Sequence, residues 1–187
     1  NPTVGVLALP GQVDVRIAAK AANREEAMKM IAPVEDEVRS LLGGAIFAAD
    51  EETMEHVVGR LLREKNKSIA VYEDITCGLL AERMQTASGE HFLAGLVSNG
   101  TSSMRAFLGH AREPRKLDQI MQDPVALTDE LAWCARVQAG SDFGLALHSI
   151  PDPNSSAIQN MARGETYIAL TDGKSFKRFT STMAGHG

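Results

Sequence analysis

The stretch SIAVYEDITCGLLAERM, residues 68–84, decides how the chain is read. It opens with a short apolar run, Ile69 to Tyr72, preceded by Lys65 and Lys67 and followed by Glu73 and Asp74. A run of that length between polar residues reads as a strand. After a turn holding Gly78, the segment from Gly78 to Met84 reads as a helix. In open α/β sheets, ligands lie beyond the carboxyl ends of strands, where loops lead into helix N-termini whose free N–H groups attract phosphate or carboxylate. The turn 73–78 occupies such a place, yet it carries two acidic residues. An ionised Asp74 repels an anion there and can itself take up the helix N–H groups.

Reading outward, Met54, Val57, Val58, Leu61 and Leu62 recur at helical spacing, with acidic residues before them and Lys65 and Lys67 after, as the macrodipole prefers. Asp50 is the expected cap of that helix and the expected domain boundary. On the far side, FLAGLVS (92–98) reads as a strand, Thr128 caps a helix ending at Gly140, and FGLALH (143–148) reads as a buried strand. TYIALTDGKSFKRFT (166–180) reads as a hairpin turning at Asp172-Gly173. Residues 149–165 form the one long loop, a length that often marks function.

The first fifty residues read as strand, strand, helix, strand. TVGVLAL (3–9) and VDVRIAAKA (13–21) pair across Pro10-Gly11. Asn23 with Glu26 is a capping-box pattern ahead of Ile31, Val34, Val38, Leu41 and Leu42; Pro33 should kink or restart that helix, and AIFAA (45–49) closes the unit as a strand. Strands and helices alternate, so the fold class is α/β: a small α+β domain over 1–49 followed by an α/β domain over 50–187. The chain begins NPTVGVLAL without an initiator methionine, which reads as a piece of a longer protein.

Composition narrows function. The formal net charge of -5 argues against a nucleic-acid backbone as main partner. No apolar run is long enough to span a bilayer. Two distant cysteines, Cys77 and Cys134, make neither a disulfide framework nor a metal knuckle, which suits a reducing cytoplasm, and no histidines are spaced as metal ligands. His56 reads as a solvated helix residue, and Trp133 as core or as part of an interface.

The residues resemble the competence/damage-inducible CinA family over nearly the whole chain. PGQVDVR (10–16) and IAPVEDEVRSLLG (31–43) stand almost as that family writes its middle, KH-like domain. EDITCGLLAERM (73–84) falls where the family has a Glu-Ser-Cys-Thr-Gly-Gly turn, FLAGLVSNGTSSMRAFLG (92–109) where it has a Tyr-Ser-Asn segment leading to a lysine, and LALHSIPDPNSS (145–156) where it has Ser/Thr-Gly-Ile-Ala-Gly-Pro. The resemblance implies a C-terminal domain similar to nicotinamide mononucleotide deamidase, no cofactor, a small nucleotide ligand and a homodimer. It also implies that the family's amino-terminal domain and last helix are absent. The KH-like likeness invites RNA binding, but residues 1–50 hold five basic residues (Arg16, Lys20, Arg24, Lys29, Arg39) against seven acidic ones, and no GxxG loop.

The departures fall on the chemistry. Asp74 stands for the turn's serine, while Thr76 and Gly78 match; Ser88 is kept but Gly89 replaces a second serine; Asn99 stands for the tyrosine, Met104 for the lysine and His148 for the loop's hydroxyl residue. Amide hydrolysis needs an activated nucleophile, a group to hold its proton and oxyanion donors. Asn99 and Met104 supply neither of the first two, and the Arg105 guanidinium does not act as a base. The candidate pocket is therefore degenerate: Asp74, Thr76, Ser88, Asn99 and His148, with Thr76, Gly78, Ser88 and Thr101 as ligand-binding positions. Asp74, His148 and a hydroxyl are also the material of a triad. The expectation is a family member that has lost catalysis and serves binding, assembly or regulation; the alternative is an amidohydrolase converting nicotinamide mononucleotide to nicotinate mononucleotide and ammonia.

Overall fold

The computed structural model describes residues 2–9, 11–98, 100–152 and 164–183. Two compact units divide the chain, Asn1–Glu52 and Thr53–Gly187.

In the first unit, β1 (Thr3–Leu9) and β2 (Gln12–Ala18) form an antiparallel hairpin, with Leu9 opposite Gln12 and Thr3 opposite Ala18. Helix α1 (Arg24–Leu42) follows, its first turn capped by the Asn23 side chain, which accepts the Glu26 N–H at 2.9 Å. The expected restart at Pro33 does not occur: the helix runs through it, since proline withholds only its own N–H and the flanking turns keep theirs. The expected strand over AIFAA is also absent. Gly43–Ala45 makes a 3-10 turn and 46–49 follow without regular structure, because the sheet of this unit has only the two hairpin strands and offers no ladder to this segment. No described residue of this unit is buried.

The second unit is α/β. Its elements run α2 (Met54–Glu64), β3 (Ile69–Glu73), α3 (Leu79–Ser88), β4 (Phe92–Val97), α4 (Thr101–Phe107), α5 (Leu117–Ile120), α6 (Pro124–Ala139), β5 (Phe143–Pro151), β6 (Gly164–Thr171) and β7 (Phe176–Met183). The strands make one mixed sheet in the order β4-β3-β5-β6-β7, with β4, β3 and β5 parallel and β6 and β7 antiparallel. β3 lies inside the sheet with helices on both faces. That is why Ile69, Ala70, Val71 and Tyr72 read as an unbroken apolar run rather than an alternating one.

One face packs Ala70, Tyr72, Ala146 and Ala169 against Leu127, Leu131 and Ala135 of α6. The other packs Ile69 and Val71 against Leu62 of α2 and Met84 of α3. The approach of α6 is close enough to require glycine below it: a Cβ on Gly144 would stand 2.0 Å from the Ala132 carbonyl oxygen. Trp133 packs at the edge of the α6 cluster, with the guanidinium of Arg112 5.6 Å and that of Arg136 5.9 Å from its ring.

Two expected caps move. Helix α2 is capped by Thr53, whose hydroxyl oxygen faces the His56 N–H at 3.5 Å, while Asp50 sits three residues earlier with φ 57. Helix α6 starts a turn before Thr128: Asp123 accepts the Val125 and Ala126 N–H groups at 3.0 and 3.2 Å, and Pro124 takes the first helical position. Thr128 is buried within the helix and donates its hydroxyl to the Pro124 carbonyl at 2.6 Å.

Candidate functional site

The carboxyl ends of β3 and β5 lie side by side, with Glu73 opposite Leu147. One residue further on, Asp74 and His148 share the α6 face of the sheet, and Nδ1 of His148 lies 2.6 Å from Oδ2 of Asp74. Their side chains are 15% and 10% exposed, so the pair is held out of bulk water. Asp74 also accepts the Ile75 N–H at 2.6 Å and the Ser149 N–H at 3.1 Å, both through Oδ1. Its carboxylate is thereby committed to its own turn and to the end of β5.

The helix N–H groups go to a different acid. Glu73, fully buried at the end of β3, accepts the Leu80 N–H at 3.1 Å and the Ala81 N–H at 2.8 Å, and the Thr76 hydroxyl donates to the same carboxylate. The sequence gives this role to Asp74. The difference is one of alternation: Glu73 points to the α3 face and Asp74 to the α6 face. The first turn of α3, the place an anion would take, is occupied by the protein's own carboxylate. Gly78 caps the helix with φ 101, a conformation that suits glycine, and Cys77 before it is exposed with φ 53, its thiol 3.5 Å from the Ile75 carbonyl oxygen.

The other candidates disperse. Ser88 is the last residue of α3, 1% exposed with its Oγ unpartnered, and the ten-residue helix separates it from the turn by about 15 Å. Asn99 lies outside the described residues. Thr101 opens α4 on the surface, and Met104 is buried with Phe107 and Leu108 in the α6 core. Arg105 turns outward to Asp118 at 2.7 Å.

Three hydroxyls near the dyad hold other partners: Thr76 donates to Glu73, Ser98 hydrogen-bonds Tyr72 Oη at 2.5 Å, and Ser149 pairs with Thr166 at 2.9 Å. Ser98 follows Val97, which pairs with Glu73 on the β4 side of β3, whereas His148 is on the β5 side. Asp74 therefore sits between the hydroxyl and the imidazole, the reverse of the order in which His bridges the other two. Burial raises the Tyr72 phenol above its usual pKa and the Asp74 charge adds to this, so Tyr72 stays protonated beside Ser98. Glu73, Ser149 and Tyr72 are the residues that sequence reasoning missed. The one signal for Glu73 was an acid closing a wholly apolar run. Among the described residues, no group of three or more His, Cys, Asp or Glu is placed to hold a metal ion, and no helix is long and apolar enough to cross a membrane.

Comparison with known proteins matches residues 1–48 to the family described as the damage-inducible protein CinA KH domain and residues 51–186 to the CinA C-terminal domain. The chain is 32% identical over 173 residues to a CinA-like protein of Acaryochloris marina, covering 91% of this chain and 41% of that protein. It is 36% identical over 172 residues to a putative competence-damage inducible protein of Thermoanaerobacter pseudethanolicus, again covering 91% and 41%. The chain thus spans about two fifths of the length of such relatives. In fold it is similar to the crystal structure of a CinA superfamily protein from Enterobacter cloacae (TM-score 0.57, 18% identity, 75% of this chain and 85% of that one). A competence damage-inducible protein A from Klebsiella pneumoniae is similar too (TM-score 0.57, 20% identity, 71% and 84%). With its family matches covering both units, the chain belongs to the CinA family.

Proposed function

We propose that residues 50–187 form a nicotinamide-nucleotide deamidase-like domain that has lost hydrolysis and serves binding, assembly or regulation, alongside a KH-like domain over 1–49. The observation that carries this reading is the state of the hydroxyls: Thr76, Ser98 and Ser149 are each held by a partner other than His148, and the lysine position is a buried methionine. None of these three hydroxyls is therefore activated by His148 as a nucleophile. The Glu73 carboxylate in the first turn of α3 works against a phosphate there in the same direction. A small nucleotide ligand, a homodimer and a cytoplasmic setting belong to this reading. Ammonia release from nicotinamide mononucleotide tests it: the protein should give no turnover above a blank, and turnover refutes the loss of catalysis.

One observation favours the second reading, an amidohydrolase acting through substituted residues. His148 is oriented by a carboxylate at 2.6 Å, as a general base would be. If ammonia release is found, His148→Ala should abolish it, and survival of the rate in that variant would remove the dyad from the chemistry.

A further inference from the structure

One ring nitrogen of His148 is not used by the fold. Nδ1 faces Oδ2 of Asp74 at 2.6 Å, and Oδ1 of the same carboxylate accepts the Ile75 and Ser149 N–H groups at 2.6 and 3.1 Å. A carboxylate accepts and does not donate, so the hydrogen of the neutral imidazole rests on Nδ1 and Nε2 carries the lone pair. Nε2 has no partner among the described residues, where Ser88 Oγ is the only fully enclosed side-chain nitrogen or oxygen without one. Nε2 therefore reaches the surface, on a side chain that is only 10% exposed and is held by its acid. The charge around it is negative: Glu73 and Asp74 follow one another at the end of β3, and neither pairs with a lysine or arginine among the described residues.

Resting on the ligand-binding part of the proposed function, we propose that His148 determines specificity at this site. With its tautomer fixed by Asp74, it accepts a hydrogen bond from an N–H of an uncharged group, a primary carboxamide on a small nucleotide, and rejects the same ligand carrying a carboxylate. An amide nitrogen brings the hydrogen that Nε2 lacks. A carboxylate brings only lone pairs, so Nε2 would give up its water without gaining a bond, while the Asp74 charge opposes the anion through the ring. A site built to bond a ligand N–H rejects the analogue without it far more strongly than an apolar pocket rejects a missing methylene. Asp74 is thus a positioning residue that acts through the imidazole. The discrimination rests on which ring nitrogen holds one hydrogen.

The test turns on Asp74→Asn. Asparagine keeps its oxygen for the Ile75 and Ser149 N–H groups but sets an amide N–H against Nδ1, which moves the imidazole hydrogen to Nε2. On the whole chain at about pH 8, where imidazole is ordinarily neutral, nitrogen-15 NMR should place the His148 hydrogen on Nδ1 in the parent and on Nε2 in the variant. Calorimetry should find nicotinamide mononucleotide bound at least about tenfold more tightly than nicotinate mononucleotide, a ratio that the phosphate common to both cannot produce. In Asp74→Asn that ratio should fall to about one or invert. A parent hydrogen on Nε2, equal affinities in the parent, or a ratio unmoved by Asp74→Asn overturns the proposal and leaves the binding reading standing. Should the variant not fold, the parent's tautomer and ratio decide. Affinity for neither nucleotide overturns both readings, whereas ammonia release refutes only the loss of catalysis.

Discussion

Oδ2 of Asp74 and Nδ1 of His148, seventy-four residues apart in the chain, lie 2.6 Å from each other at the carboxyl ends of two adjacent parallel strands. The bond is the centre of a small clasp that also includes the Ile75 and Ser149 N–H groups. It ties the turn after β3 to the end of β5.

Asp74→Ala should therefore lower stability. It strands a mostly buried imidazole and two N–H groups, at a cost of about 2–3 kcal/mol, or roughly 5–10 °C in Tm. Thermal unfolding checks it, and His148→Ala should cost less in the Asp74→Ala background than alone. Equal costs in both backgrounds would mean that the two side chains are not coupled in solution.

Glu73→Gln should loosen the first turn of α3. Glutamine keeps one acceptor oxygen but aims its amide N–H at a donor that the second carboxylate oxygen now satisfies, a loss of about 1–2 kcal/mol. The amides of Leu80 and Ala81 should exchange faster than those of Met84 and Gln85 in the variant, and uniform exchange along the helix would argue against the capping role.

The two thiols should react very differently. Burial, with the Glu130 charge behind it, pushes the Cys134 thiol up to about 12, whereas Cys77 is exposed on its turn. Titration with a thiol reagent at about pH 8 should count one thiol in the folded protein and two in denaturant. Two reactive thiols under native conditions would contradict the packing of α6.

Acid should release a second tie between distant segments. Asp142 accepts from Lys67 Nζ at 2.7 Å and from the Ser68 N–H at 3.0 Å, and these bonds, the lysine's first, hold its carboxyl below the ordinary range. A carboxylate whose folded pKa is lowered contributes stability above its unfolded value, about 4, and loses it as pH falls through the folded value. The Tm of Asp142→Asn should consequently vary less than that of the parent below about pH 4; parallel profiles would sink the assignment.

Much of the fold was legible because it is written in local patterns. The 3.6-residue period of Val57, Val58 and Leu62, the Asn23–Glu26 cap and the Asp172-Gly173 turn act over a few residues, and each makes the element it signals. Where local signals competed, the choice lay elsewhere. Asp123 rather than Thr128 starts α6, because the register of that helix follows the packing of Leu127 and Leu131 on the sheet. AIFAA has strand composition but no partner strand among the described residues.

By itself the sequence determined the family, the α/β class, and the presence of Asp74, Met104 and His148 at their places in the chain, since residue identity and order need no coordinates. Only the tertiary structure decided what those residues do. Strand order β4-β3-β5 brings Asp74 against His148 and leaves Ser98 on the wrong side of it. The alternation of β3 gives the helix to Glu73, and the length of α3 removes Ser88 from the turn. These are consequences of long-range pairing and of which face a strand residue meets, and neither is encoded in any short stretch of the chain.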